Sequence, residues 1–308
     1  MSVIGIDTSN YTTSIAYFDG ENGVNCSRLL PVKPGELGLR QSDAVFAHTK
    51  SLPDLSGRLF SNAEVGKITA VGVSTRPRAV EGSYMPCFMV GYSHAKLLSD
   101  ALGVPLIEVS HQQGHVAASL WSAGHLELMD EPHLAWHLSG GTTELLLVEP
   151  EGKNVKCTKI GGTTDISAGQ LIDRTGVMLD LPFPAGKHVD ALSKEAVLKE
   201  TFKVKCPGME FSLSGVQNKV QQFHQKNGIP AETAAFALRC VASAVYQATQ
   251  NALKAYPGLK VVFSGGVASN SMLREVIAPL SPIFCEPQYS TDNAMGVAVL
   301  TDRYTQEG

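Results

Sequence analysis

The sequence predicts an α/β fold in two lobes, and three observations carry that expectation. Apolar, strand-like segments alternate with stretches of helical periodicity along the chain. A strand, a tight polar or glycine-rich turn and a second strand occur once in each half, over residues 3–18 and again over 134–148. With 308 residues, 44% of them hydrophobic, the chain can bury two ordinary cores. The N-terminal lobe is expected over residues 1–116 and the C-terminal lobe over 117–294, with a closing helix, 295–308, returning to the first lobe.

The elements follow from local pattern. Residues 3–7 and 12–18 read as strands around the turn Thr8-Ser9-Asn10-Tyr11. A loop then leads to a helix over residues 39–59, where Leu39, Ala44, Val45 and Leu52 recur at roughly helical spacing. Residues 68–74 form a strand of the buried type, 86–102 a helix, 106–109 a strand and 111–120 a helix. The second hairpin begins at residue 134 and opens the second lobe, turning at Ser139-Gly140-Gly141-Thr142-Thr143. Helices are expected over 165–179, 188–199 and the Ala-, Val- and Gln-rich stretch 231–255. A strand over 261–263 enters the turn Ser264-Gly265-Gly266-Val267-Ala268-Ser269-Asn270, a helix follows it, and 292–305 is the last helix.

Composition narrows the function classes. No apolar run approaches the roughly 20 residues that cross a bilayer, and the N-terminus enters a strand without a leader pattern. The expectation is a cytoplasmic protein with no membrane partner. The six cysteines include no C-x-x-C pair and read as reduced, small apolar fillers. With a net charge of −4, a nucleic acid would have to meet a local basic patch or a partner's surface. Lys203, Lys205, Lys219 and Lys226 cluster in sequence; taken alone, such a run is a solvated face.

Two features bear on chemistry. His111 and His115 stand four apart on an expected helix, so they point to one side and can grip one metal ion, although a pair at this spacing also arises by chance. Glycine turns after strands bring backbone N–H groups close to an anion, so the three turns read as two phosphate-binding hairpins and a nucleoside-binding turn. The plainer alternative is that Gly-Gly simply makes tight hairpins.

The ordered set I-G-I-D-T-S, H-x-x-x-H, S-G-G-x-T, D-x-x-A-G-x-x-x-D, F-S-x-S-G, G-G-V-x-x-N and S-T-D-N-A resembles the threonylcarbamoyl-transferase family, bacterial TsaD and its archaeal, eukaryotic and mitochondrial relatives, once described as glycoprotein endopeptidases. The likeness runs from residue 2 to about 300. It implies the actin-like ATPase (ASKHA) fold, two lobes around a nucleotide cleft. It also implies transfer of the threonylcarbamoyl group from threonylcarbamoyl adenylate to an adenosine next to the anticodon of tRNA. By the same resemblance, His111, His115 and Asp292 hold one iron or zinc ion. His137, Leu138, Ser139, Gly140 and Gly141 meet the phosphate and carbamoyl part of the ligand, while Asp173, Gly186 and Asn270 bind the nucleoside of threonylcarbamoyl adenylate or ATP. The implied partners are tRNA, a TsaB-like paralogue and a TsaE-like ATPase. A zinc protease of the H-E-x-x-H type would need Glu where this chain has Gln112.

Two of these residues have plainer readings: Asp292 as the N-cap of the last helix, and Asp173 as a surface partner of Arg174 or Lys187. The chain also departs from the family pattern. Asp7 stands where a Glu is usual, Thr8-Ser9-Asn10-Tyr11 lacks the usual Cys-Asp-Glu, and Thr142, Gln170 and Arg174 replace a His or Asn, a Glu and a Lys. The charged stretch from Arg76 to Tyr84 replaces a Gly-Pro-Gly turn, and no basic, Pro-containing tail follows Gly308. A diverged paralogue acting on another acceptor, and a non-catalytic scaffold, are therefore the alternatives to the transferase.

Overall fold

The computed structural model describes residues 2–9, 11–31, 39–62, 67–197 and 200–306. Of the segments read from sequence, Asn10 of the first turn, Leu198 and Lys199 of the 188–199 helix and the last two residues of the closing helix lie outside the described residues. The chain divides into two compact units: Met1–Glu131 with Glu149–Cys157 and Asp292–Gly308, and Pro132–Val148 with Thr158–Thr291.

The first unit is built on a five-stranded sheet. Its elements in chain order are β1 (Ser2–Ser9), β2 (Thr12–Phe18), β3 (Gly23–Leu29), α1 (Gln41–Asn62), β4 (Ile68–Arg76), α2 (Phe88–Leu102), β5 (Leu106–Ser110) and α3 (His111–Ser122). The strand order is β3-β2-β1-β4-β5, with the hairpin strands antiparallel and β1, β4 and β5 parallel. Strand periodicity sorts β1 onto two faces. Ile4 and Ile6 join Leu52, Leu55 and Leu59 of α1 and Val90 of α2 in the core, while Gly5 and Asp7 turn to the opposite face.

The second unit repeats this plan. Its elements are β6 (His133–Leu138), β7 (Thr143–Glu151), β8 (Asn154–Thr163), α4 (Ala168–Met178), α5 (Gly186–Ser193), β9 (Glu210–Phe211), α6 (Ser214–Asn227), α7 (Pro230–Ala255), β10 (Val261–Ser264), α8 (Ser271–Ile277) and β11 (Ile283–Phe284), with the β7–β8 tip Glu149–Cys157 belonging to the first unit. The order β11-β10-β6-β7-β8 matches the first sheet read from its other edge, and β9 adds a sixth strand. Trp136, Leu145 and Phe263 pack with the largely buried α7, and the Trp136 indole donates to Thr249 Oγ1 at 2.9 Å.

The closing helix α9 (Met295–Thr305) belongs to the first unit and lies against the face of β1 and β4 that bears Gly5 and Gly72. A Cβ on Gly5 would fall 2.6 Å from the Ala294 carbonyl oxygen, and one on Gly72 would strike the Thr301 hydroxyl. Glycine at these two positions is what permits the close approach.

The structure departs from the sequence reading in several places. β3 and β8 extend each hairpin to three strands; both are polar and largely exposed on one face, so their alternation is weak. The helix expected over 188–199 runs from Gly186 to Ser193, and that over 165–179 begins at Ala168, because Ser167 caps it. α6 was not expected: it is rich in Gln and Lys and buries only Val216 and Val220 fully. The last helix starts at Met295 rather than 292. All six cysteines are free thiols. No helix among the described residues is long and apolar enough to cross a membrane.

Candidate functional site

Local sequence sets the first cluster. Ser110 caps α3 in a reciprocal capping box: its side chain accepts from the Gln113 N–H at 3.2 Å and Gln113 Oε1 accepts from the Ser110 N–H at 2.9 Å. The helix therefore begins at His111, and one turn later His115 projects from the same side. Asp292 arrives from just ahead of α9, whose position is fixed by Gly296: a Cβ there would lie 1.8 Å from the Gly114 carbonyl oxygen of α3. The Nε2 atoms of the two histidines are 2.9 Å apart. Asp292 Oδ1 lies 3.2 Å from His115 Nε2 and 3.6 Å from His111 Nε2.

This set fits a divalent metal. Two imidazole nitrogens and one carboxylate oxygen lie within 4.8 Å of one another, a donor set of the kind that holds such an ion. Behind them the Asp7 carboxylate, 1% exposed, accepts from His111 Nδ1 at 2.8 Å and from the Ser9 N–H at 2.9 Å, so Nε2 is the atom His111 offers to a cation. Burial alone would lower the His111 pKa, but the carboxylates of Asp7 and Asp292 outweigh it and push it up to about 10. Burial likewise acts to raise the Asp7 and Asp292 carboxyls, and the histidines override it, holding Asp7 below and Asp292 well below the usual range. The pocket is thus built to keep positive charge between its carboxylates.

A second cluster gathers at the C-terminal ends of β6 and β10 in the second unit. The Ser139 N–H donates to the Thr142 carbonyl at 2.8 Å and the Ser139 hydroxyl accepts from the Thr142 N–H at 3.1 Å, closing the turn. Ser167 caps α4 and also donates from its hydroxyl to the Gly140 carbonyl at 2.6 Å. Gly169 packs so tightly that a Cβ would sit 2.5 Å from the Ser139 carbonyl oxygen. Gly265, at φ +90°, leaves no room for a Cβ against the Leu138 backbone, which joins the third glycine turn to the second. The space above Gly140, Gly141 and Gly186 is open. The Leu138 side chain is core, so only its backbone faces the turn, and His137 Nδ1 lies 3.4 Å from the Ser264 hydroxyl.

The remaining expected residues meet through α5. Asp173 accepts from the Ala185 N–H at 2.9 Å, next to Gly186; burial pushes its carboxyl up, against the effect of that bond. Asn270 caps α8 through Oδ1 and donates from Nδ2 to Asp190 at 2.9 Å. Neither plainer reading holds: the last helix is capped at Ala294, with Asp292 turned to the histidines, and Arg174 donates to Gln217 while Asp173 holds the Ala185 amide.

Three carboxylates escaped the sequence reading as site components. Asp7 was noted only as a departure, although alternation along β1 puts it on the face of Gly5. Asp190 holds Asn270 together with the amide and hydroxyl of Ser271; its signal was its place four residues after Gly186. Asp165, which heads the D-x-x-A-G motif, accepts from the Leu213 amide at 2.8 Å and from the hydroxyls of Ser212 and Ser214 at 2.5 Å. It thereby ties that motif to F-S-x-S-G.

Known proteins resemble this chain in sequence and in fold. The family model described as TsaD, tRNA N6-adenosine threonylcarbamoyltransferase, matches residues 37–299. A protein of that name from Carboxydothermus hydrogenoformans is 33% identical over 96% of this chain and 90% of its own length. Another from Thermosipho africanus is 31% identical over 100% of this chain and 96% of its own. Among solved structures, full-length HypF superimposes with a TM-score of 0.61 at 15% identity over 100% of this chain, which spans 47% of that protein. A ROK hexokinase from Thermus thermophilus does so with a TM-score of 0.55 at 14% identity, covering 99% of this chain and 100% of that one. At such identities the shared property is the fold, that of the actin-like ATPases.

Proposed function

Because the chain belongs to the family of tRNA N6-adenosine threonylcarbamoyltransferases, we propose that it moves the threonylcarbamoyl group of threonylcarbamoyl adenylate to the exocyclic amine of an adenosine next to the anticodon of tRNA. The observation that carries this reading is the convergence of His111, His115 and Asp292 on one point, backed by Asp7. In the reaction the amine nitrogen forms a bond to the carbamoyl carbon, the bond from that carbon to the phosphate oxygen breaks, AMP leaves with the electron pair, and the amine gives up a proton. An iron or zinc ion held by the triad would supply a Lewis acid.

The chain's own groups bind and orient. Ser139 closes the turn, and the unobstructed Gly140 and Gly141 would offer their backbone N–H groups to the phosphate and carbamoyl part, with His137 and Leu138 leading into it. Asp173 and the open Gly186 suit ribose hydroxyls, and Asn270 the adenosine side. A TsaB-like paralogue and a TsaE-like ATPase are the expected helpers, and the setting is cytoplasmic. Proteolysis is not supported: Gln112 stands where a zincin carries its general base.

A second reading rests on the stretch after β4. The Pro77 carbonyl accepts from the Gln112 N–H at 3.0 Å, anchoring a loop with the exposed Arg78, Val80 and Tyr84 to the first turn of α3. A different loop beside the triad favours a diverged paralogue that transfers a carbamoyl-type group to another acceptor. The retained triad argues against a non-catalytic scaffold. Purified chain supplied with threonylcarbamoyl adenylate, tRNA and the helpers should place labelled threonine in tRNA, and a His111→Ala, His115→Ala variant should not. Absence of label with wild-type chain that still binds metal and nucleotide would transfer the assignment to the second reading.

A further inference from the structure

We propose that the outer face of α6 and the segment 202–205 ahead of it receive the sugar–phosphate backbone of the RNA acceptor, an inference that rests on the reading of tRNA as acceptor. Residues 201–228 carry Lys203, Lys205, Lys219 and Lys226 against the single acid Glu210, in a chain of net charge −4. All four lysines are exposed. Three lysines elsewhere on the surface sit beside carboxylates, Lys96 with Asp100, Lys159 with Glu144 and Lys194 with Asp190. Among the described residues none of these four does. Lys219 instead lies over the Phe202 ring at 5.7 Å and donates to Gln222 at 3.4 Å, which brings the segment and the helix together as one surface.

Placement distinguishes this face from an ordinary solvated one. Val204 is buried, so Lys203 and Lys205 project outward together. Lys219 and Lys226 are seven residues apart, two turns and about 10.5 Å along one side of α6. That helix begins beside the ligand turn: Asp165 holds its first amides and hydroxyls, and Ser167, two residues on, bonds the Gly140 carbonyl. Lys219 and Lys226 therefore step away from the turn where the reactive group is to be held. A polymer whose base sits at that turn would lay its next phosphates along them. Phosphate contacts of this kind fix register and orientation without reading sequence.

The test is binding of an unmodified tRNA transcript to the full chain by fluorescence anisotropy between 50 and 200 mM salt. The variants are Lys203→Gln with Lys205→Gln, Lys219→Gln with Lys226→Gln, and Lys50→Gln with Lys96→Gln as a charge-matched control. Each lysine that meets a phosphate accounts for roughly one unit of the salt slope. Each pair on the face should therefore lower the slope by about two and weaken binding roughly tenfold, with nucleotide binding and the control unchanged. Wild-type affinity and slope in both pairs, a loss equal to the control's, or no tRNA binding by the wild-type chain would overturn the proposal. If this face binds tRNA but no label is transferred, the surface stands and the transferase reading falls. If transfer proceeds with an unchanged KM for tRNA after both pairs are replaced, the reverse holds.

Discussion

Asp7 shows how a single carboxylate can matter without touching a ligand. It is buried, it accepts the Nδ1 proton of His111, and its other oxygen is pinned by the Ser9 amide. Carboxylates in this position orient a ligating histidine and raise its basicity. Asp7→Asn should lower affinity for zinc about 10–100-fold, read by competition with a chromophoric chelator, with the melting temperature as the check on folding. Unchanged affinity would remove Asp7 from the metal's support. The histidine pair was legible in the sequence because helical spacing alone puts residues four apart on one side. Asp292 and Asp7 were not legible in that way. They lie 177 and 104 residues from His115 and His111 respectively, and only tertiary register brings them in; the family resemblance supplied Asp292, and nothing supplied the role of Asp7.

At the scale of elements, the meeting of α3 and α9 holds the triad in register. Gly296 contacts the Gly114 backbone with no space for a Cβ. Gly296→Ala should force the helices apart, cost about 1–3 kcal/mol and loosen metal binding, as denaturant unfolding and metal titration would register. A second prediction concerns Asp165, whose burial acts to raise its carboxyl while the Ser212 and Ser214 hydroxyls and the Leu213 and Ser214 amides outweigh it and hold it far below the usual range. A carboxyl lowered in the folded state contributes stability above its unfolded pKa of 3.8, and that contribution fades as pH falls toward the folded value. The stability gap between wild type and Asp165→Asn, measured by denaturant unfolding, should be full at pH 7 and shrink on acidification below about pH 4. A gap as wide at pH 2.5 as at pH 7 would mean the charge is not what anchors α6. Elements with strong apolar periodicity, such as β1, α3 and α7, were readable. β3, β8 and α6 were not, because each buries too few apolar side chains to leave a pattern.

For the whole molecule, the repeat glimpsed as a pair of hairpins extends to five strands in each sheet. The sequence carried only the part of it where both hairpin strands are apolar. The units are not simple halves of the chain, since the first is completed by Asp292–Gly308. Truncation after Thr291 should abolish metal binding and uncover the face of β1 and β4 around Gly5 and Gly72, giving increased binding of a dye that reports apolar surface. A truncated chain that still binds metal with wild-type affinity would place the third ligand elsewhere.

The late return of α9 also orders events during synthesis. The second unit has been synthesised before Asp292 is made, whereas His111 and His115 have been waiting beside a sheet that lacks its covering helix α9 for most of translation. Metal capture by all three ligands is therefore a finishing step, and a nascent chain that stalls before the last turn of assembly carries only a two-histidine half-site.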